Sequence, residues 1–124
     1  MRKIWLLLSI ALLLPMAAQA GAKIKFDNAM HNFDVVSEDG GRVSHSFEFT
    51  NEGDAPLVIV EVTTNCGCTT ADFPQAPIAV GQQGTIVITF DPKGNPGEFA
   101  KEIVVRSNAD KKRTKLRIKG VVIP

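Results

Sequence analysis

The sequence predicts an all-β protein, an immunoglobulin-like antiparallel β-sandwich of about seven to eight strands. Three observations lead there. Apolar and polar residues alternate through several runs, as on half-buried strands. Between the runs lie clusters such as Glu38-Asp39-Gly40-Gly41, Asn51-Glu52-Gly53-Asp54 and Gly81-Gln82-Gln83-Gly84, which are turn chemistry. No window sustains apolar residues at i, i+3, i+4 and i+7, the signature of a helix.

Taken from the start, MRKIWLLLSIALLLPMAAQA reads as a secretory signal peptide. Arg2 and Lys3 precede an apolar run from Ile4 to Leu14, and Ala18-Gln19-Ala20 supplies a small-residue cleavage pattern. The run is shorter than the roughly 20 apolar residues that a bilayer span needs. Cleavage after Ala20 is therefore expected, giving one mature domain over residues 21–124 with no membrane span and a periplasmic or secreted address. No cysteine lies just past the apolar run to accept a lipid.

Short strands are expected at Lys23 to Asp27 and at Asn32 to Val36. In RVSHSFEFT, Val43, His45, Phe47 and Phe49 share one face and Ser44, Ser46, Glu48 and Thr50 the other. LVIVEVTT, from Leu57, is a β-branched run expected to be covered on both faces at its centre. Ile86, Ile88 and Phe90 fall together in TIVITFD. FAKEIVVRS reads as a strand whose alternation slips near Lys101, where a bulge is expected. KLRIKGVV turns Leu116, Ile118, Gly120 and Val122 inward and Lys115, Arg117 and Lys119 outward.

Charge excludes one class of partner. Without Arg2 and Lys3 the chain keeps 12 basic residues against 13 acidic, a balance that provides no overall field for a phosphate backbone, so nucleic acid is not expected. The basic cluster Lys111-Lys112-Arg113 reads as a solvated hairpin tip. Catalytic patterns are missing: there is no Gly-x-Ser-x-Gly, no His-Glu-x-x-His and no phosphate-cradling glycine loop.

HNFDVV, the long run from HSFEFTNEGDAPLVIV through VVRSN, and the closing LRIKGVV together resemble the bacterial secreted family called domain of unknown function 1573. The most specific pieces are Phe-x-Phe-x-Asn-x-Gly at Phe47 to Gly53, Cys-Gly-Cys-Thr at Cys66 to Thr69, and Phe90-Asp91. The resemblance implies a sandwich related to the major sperm protein and pilus chaperone types, and implies no activity. The chain departs from the family at Asn32-Phe33-Asp34, where Phe-Gly is usual, and this leaves the local turn open.

Both cysteines lie in TTNCGCTTAD, separated by Gly67 alone. Three readings stay open. A local Cys66–Cys68 disulfide is feasible in an oxidising compartment if Gly67 lets the chain bend, and would close a loop worth only about 1.6 kcal/mol in chain entropy. Thiol exchange needs a helix N-terminus or a cation nearby, and neither is visible in the flanks. Metal binding, to zinc or copper(I), would use Cys66 and Cys68 with His31, His45 or Asp72 as further ligands. The preferred reading makes NCGC a structural corner. The expected function is accordingly a monomeric, exported, non-catalytic module without cofactor, binding a protein or cell-envelope component through a sheet edge or a loop end. The loops Cys66 to Ala76 and Pro92 to Gly97 are the candidate contacts. The alternative is a periplasmic metal-binding or thiol redox protein.

Overall fold

A computed structural model describes residues 21–124; the expected signal peptide, with Trp5, lies outside the described residues. Eight strands form two four-stranded sheets and no helix is present among the described residues. Sheet I has the order β1-β3-β6-β5, and sheet II the order β2-β8-β7-β4. The strands are β1 (Ile24–Phe26), β2 (Met30–Ser37), β3 (Val43–Asn51), β4 (Ile59–Thr64), β5 (Thr69–Asp72), β6 (Gln83–Phe90), β7 (Gly97–Ser107) and β8 (Arg113–Ile123). This is the immunoglobulin-like sandwich that the alternation predicts.

The core is the set of inward residues from both sheets. Phe47 and Phe49 of β3, Ile86, Ile88 and Phe90 of β6, Ile103 and Val105 of β7, and Leu116, Ile118 and Val122 of β8 are all buried. Each such side chain is worth about 1.5–3 kcal/mol of transfer free energy. Phe90 stacks on Phe99 with ring centroids 4.1 Å apart, tying β6 to β7 across the interface.

The Phe-x-Phe-x-Asn-x-Gly run explains itself here. Its two phenylalanines enter the core, and Asn51, fully buried, becomes a hub. Its amide donates to Ala55 O (2.8 Å) and Ile78 O (3.1 Å), while its carbonyl accepts from Lys23 N (3.3 Å) and Gly53 N (3.0 Å). A buried amide is affordable only when its donors and acceptors are met in this way. Gly53 completes the motif because a Cβ there would fall 2.6 Å from Lys23 N, where no side chain fits.

Several local expectations change. β4 is an edge strand with a register irregularity between Ile59 and Glu61, and Val60 is 55% exposed, so the run is not covered on both faces. Leu57 leaves that strand and exchanges hydrogen bonds with Ile78. No bulge occurs at Lys101: the register of β7 with β8 runs unbroken from Gly97 to Arg106, and Lys101 takes an inward-row position opposite Ile118. The slip in alternation is a substitution on a regular strand. Long, flexible lysine stems allow this because the aliphatic part can lie on apolar surface while the amine reaches outward.

Every pairing is antiparallel except β2 with β8, which is parallel. After Phe26 the chain leaves sheet I, crosses at Asp27 to Ala29, and continues in sheet II as β2. The crossing is held by Asp27 N donating to Glu48 O (3.0 Å), Met30 N to Asn28 Oδ1 (3.2 Å) and Arg117 N to Ala29 O (2.9 Å). Along β2 the register shifts between Asn32 and Val35, and Asp34 has φ 62°. That is the left-handed region in which glycine is at ease, which gives the Phe-Gly habit of the resembled family a backbone reason. Asp34 N donates to Asn32 Oδ1 at 2.9 Å, an Asx turn that steadies the conformation without glycine.

Candidate functional site

The cysteine corner carries the chain from β4, an edge of sheet II, to β5, an edge of sheet I. Cys66 and Cys68 are joined by a disulfide with Cα atoms 5.1 Å apart. Gly67 is not in the left-handed region, and a Cβ there would meet nothing within 4 Å, so the bend does not depend on glycine's extra freedom. Thr69 N donates to Cys66 O (3.2 Å), and the Thr64 hydroxyl lies within hydrogen-bonding distance of Cys66 O (3.1 Å) and Thr69 O (3.3 Å). Cys68 packs against the core, and its carbonyl accepts from Asp91 N at 2.8 Å.

A cation does stand near this corner, supplied by tertiary structure and invisible in the flanking sequence. Arg42 lines a cleft of about 50 Å³ with Gly67, Cys68, Thr70, Thr89 and Asp91. Its charge is answered by Asp91, 3.8 Å away, and the pair is solvent-exposed. Among the described residues no group of three or more His, Cys, Asp and Glu side chains forms a metal-holding cluster. Asp72 is exposed on β5, opposite Val87.

The two histidines meet each other. His31, inside β2 and not merely before it, stacks on His45 of β3 with ring centroids 3.7 Å apart. Phe33 meets the edge of the first ring (4.6 Å) and Phe47 the second (4.7 Å). Burial, and then the neighbouring His31, hold the His45 imidazole below its usual pKa of 6.5. The inward position of His45 is legible from the alternation of β3, but its meeting with His31 is not, since only the strand crossing brings β2 opposite β3.

That crossing also leaves an edge open. β1 pairs with Phe49 to Asn51 only, so β3 from Val43 to Phe47 has no neighbour on that side among the described residues. Glu48 O and Glu52 N bond toward β1, whereas Asn51 N bonds away from it, to Gln82 O. By the alternation of an antiparallel ladder, the N–H and C=O groups of Ser44 and Ser46 point into the vacated position. Beside it, Asp27, Asn28, His45, Ser46, Phe47 and Glu48 line a recess of about 130 Å³.

The edge at β5 is different. Cys68 faces β6, so Thr69, Ala71 and Phe73 face out; Thr69 is bonded within the corner, and Phe73 O accepts from Gln75 Nε2 (3.2 Å). Only Ala71 between them is left unbonded on that side among the described residues. The cysteine loop therefore covers the start of this edge, at Thr69. The Pro92 to Gly97 loop is also held by hydrogen bonds, Lys93 N to Asp91 Oδ1 (3.0 Å), Asn95 N to Pro92 O (3.0 Å) and Gly94 N to Glu38 Oε2 of the turn after β2 (2.9 Å).

Residues 24–122 match the family described as protein of unknown function (DUF1573). No curated protein matches the sequence. Among solved structures, a protein of unknown function from Porphyromonas gingivalis W83 is similar at 20% identity and TM-score 0.74, over 85% of this chain and 50% of that one. The present chain thus spans about half the length of that protein. The ASH/PapD-like domain 7 of human CEP192 is similar at 16% identity and TM-score 0.69, over 94% and 96% of the two chains. The E. coli chaperone DraB is similar at 15% identity and TM-score 0.53, over 83% and 55%. These likenesses bear out the sandwich type that the sequence resemblance implies.

Proposed function

The chain belongs to the DUF1573 family, and from that premise we propose that it is an exported, non-catalytic binding module that receives an extended strand of a partner protein along the open edge of β3. Residues 1–20 act as the export signal, and the module works in the periplasm or outside the cell. One observation carries this reading: the backbone groups of Ser44 and Ser46 face a position that β1 has left, whereas on the β5 edge the corner bonds Thr69 and Gln75 bonds Phe73 O, leaving Ala71 between them. Paired N–H and C=O groups at strand spacing are what an extended peptide satisfies, and sandwich edges recruit partners in this way. Nothing in the cysteine corner opposes the reading, since its disulfide serves the turn from β4 to β5.

Ser46→Pro tests it. The substitution removes an outward N–H that makes no bond to β6, so an edge position should tolerate it. Protein purified after native export should retain a reproducible partner from envelope extract, and the proline variant, with unchanged circular dichroism, should lose it. Equal capture by both would refute strand addition at β3. Insulin-reductase turnover abolished by Cys66→Ser would refute the non-catalytic assignment.

A further inference from the structure

The outer face of sheet II concentrates charge that the balanced composition conceals. On β8 the inward residues Leu116 and Ile118 are buried, so Arg113, Lys115, Arg117 and Lys119 all point out and are exposed. The register adds Arg106 of β7 directly opposite Arg113. Like charges in facing positions repel. Five cations thus share this face, and the rows from Arg113 to Lys119 hold two carboxylates. Glu61 pairs with Arg106, and Glu102 is divided between Lys115 and Arg117 at 3.8 Å each. The hairpin tip extends the basic run with Lys111 and Lys112, both exposed.

The far end of the ladder changes character. Beyond Lys119 the face sinks into a groove of about 460 Å³, lined by Val35, Ala100, Gly120 and Val121, with Asp34 and Glu98 among its other residues. The small outward side chain of Ala100 gives it a low floor, and Val35 is 63% exposed beside it.

We propose that this face docks an extended acidic segment of a partner protein, with carboxylates along Arg113 to Lys119 and an aliphatic side chain in the groove. Charge complementarity selects an anion, and spacing selects a polypeptide. Alternate side chains on a strand lie about 6.8 Å apart, so the cations of β8 match alternate residues of an extended chain one to one. Asp34 and Glu98 repel carboxylates at the groove, which fixes where the acidic run must end. The described residues contain neither Trp nor Tyr, the side chains that usually seat proteins at a bilayer interface. This surface lies on the opposite sheet from the β3 edge, so either assignment can fail without the other.

The probe is a fluorescein-labelled synthetic peptide with glutamate at four alternate positions, threonine between them and two valines at one end, titrated into the exported protein by anisotropy. Saturable binding that weakens with salt is expected. The double variant Lys115→Glu/Arg117→Glu should weaken it about tenfold or more, and Glu102→Gln, which frees two cations, should tighten it about threefold. The second variant reads in the opposite direction, so a fold defect cannot imitate it. Unchanged affinity in both variants would overturn the proposal. So would absence of peptide binding, including the case in which the protein instead sediments with phosphatidylglycerol vesicles.

Discussion

The His31 and His45 rings are nearly parallel, with planes 8° apart, and they stack across the gap between sheets I and II. A stacked pair of neutral imidazoles packs well; two protonated rings at that distance would repel.

This stack predicts a pH dependence with a definite sign. Folding holds His45 below 6.5, so as pH falls through 6.5 the unfolded chain takes up the proton first and stability declines. The loss continues until His45 itself protonates in the folded state. Asp27 and Glu48 line the recess beside His45. Urea midpoints at about pH 7.5 and 5.5 should differ in the wild type and differ less in His45→Gln. His31→Gln should raise the His45 pKa measured by NMR.

Asn51→Ala should be among the most damaging single changes. It strips the side-chain partner from Ala55 O, Lys23 N and Gly53 N around a fully buried site, while Ile78 O keeps its bond from Leu57 N. A loss of about 3–5 kcal/mol is expected from unmet buried polar groups. Chemical denaturation would show it, and a loss below about 1 kcal/mol would mean that water replaces the side chain.

Asp34→Gly should stabilise. A non-glycine residue at φ 62° costs on the order of 1 kcal/mol, partly offset here by the Asn32 turn and by the greater freedom of glycine when unfolded. A rise in Tm of a few degrees is expected, and a fall would show that the Asp34 side chain contributes more than its backbone costs.

Cys66→Ser/Cys68→Ser should leave the sandwich folded and lower its stability by about 1.6 kcal/mol, as a short closed loop implies. Gly67→Ala should change little, because nothing lies within 4 Å of the added methyl group. A large effect of either substitution would give the corner a role beyond turning the chain.

The legible parts of this molecule are those with a local signature. Strands β3, β6 and β8 announce themselves by strict alternation, since one face of each meets the core and the other meets water. Parallel pairing of β2 with β8 has no such mark: Val36 and Val122 are register partners far apart in sequence. Lys101 misled because a lysine on an inward row looks like a break in period. The Asn51 motif was visible as a pattern, but its role appears only when Ala55, Ile78 and Lys23 converge on it. Arg42 beside Cys68, and His31 upon His45, are products of topology alone. The cations Lys115, Arg117 and Lys119 could be assigned outward from sequence, whereas Arg106 joins them only through the register of β7.

The parallel alignment of β2 with β8 has a mechanical corollary. Tension applied through the two termini drags these strands past each other along their length, so the bonds between them are strained together and do not open one after another. Antiparallel neighbours joined by a hairpin would peel like a zip under the same pull. A tethered molecule stretched between its ends should therefore resist up to a high rupture force and then yield abruptly.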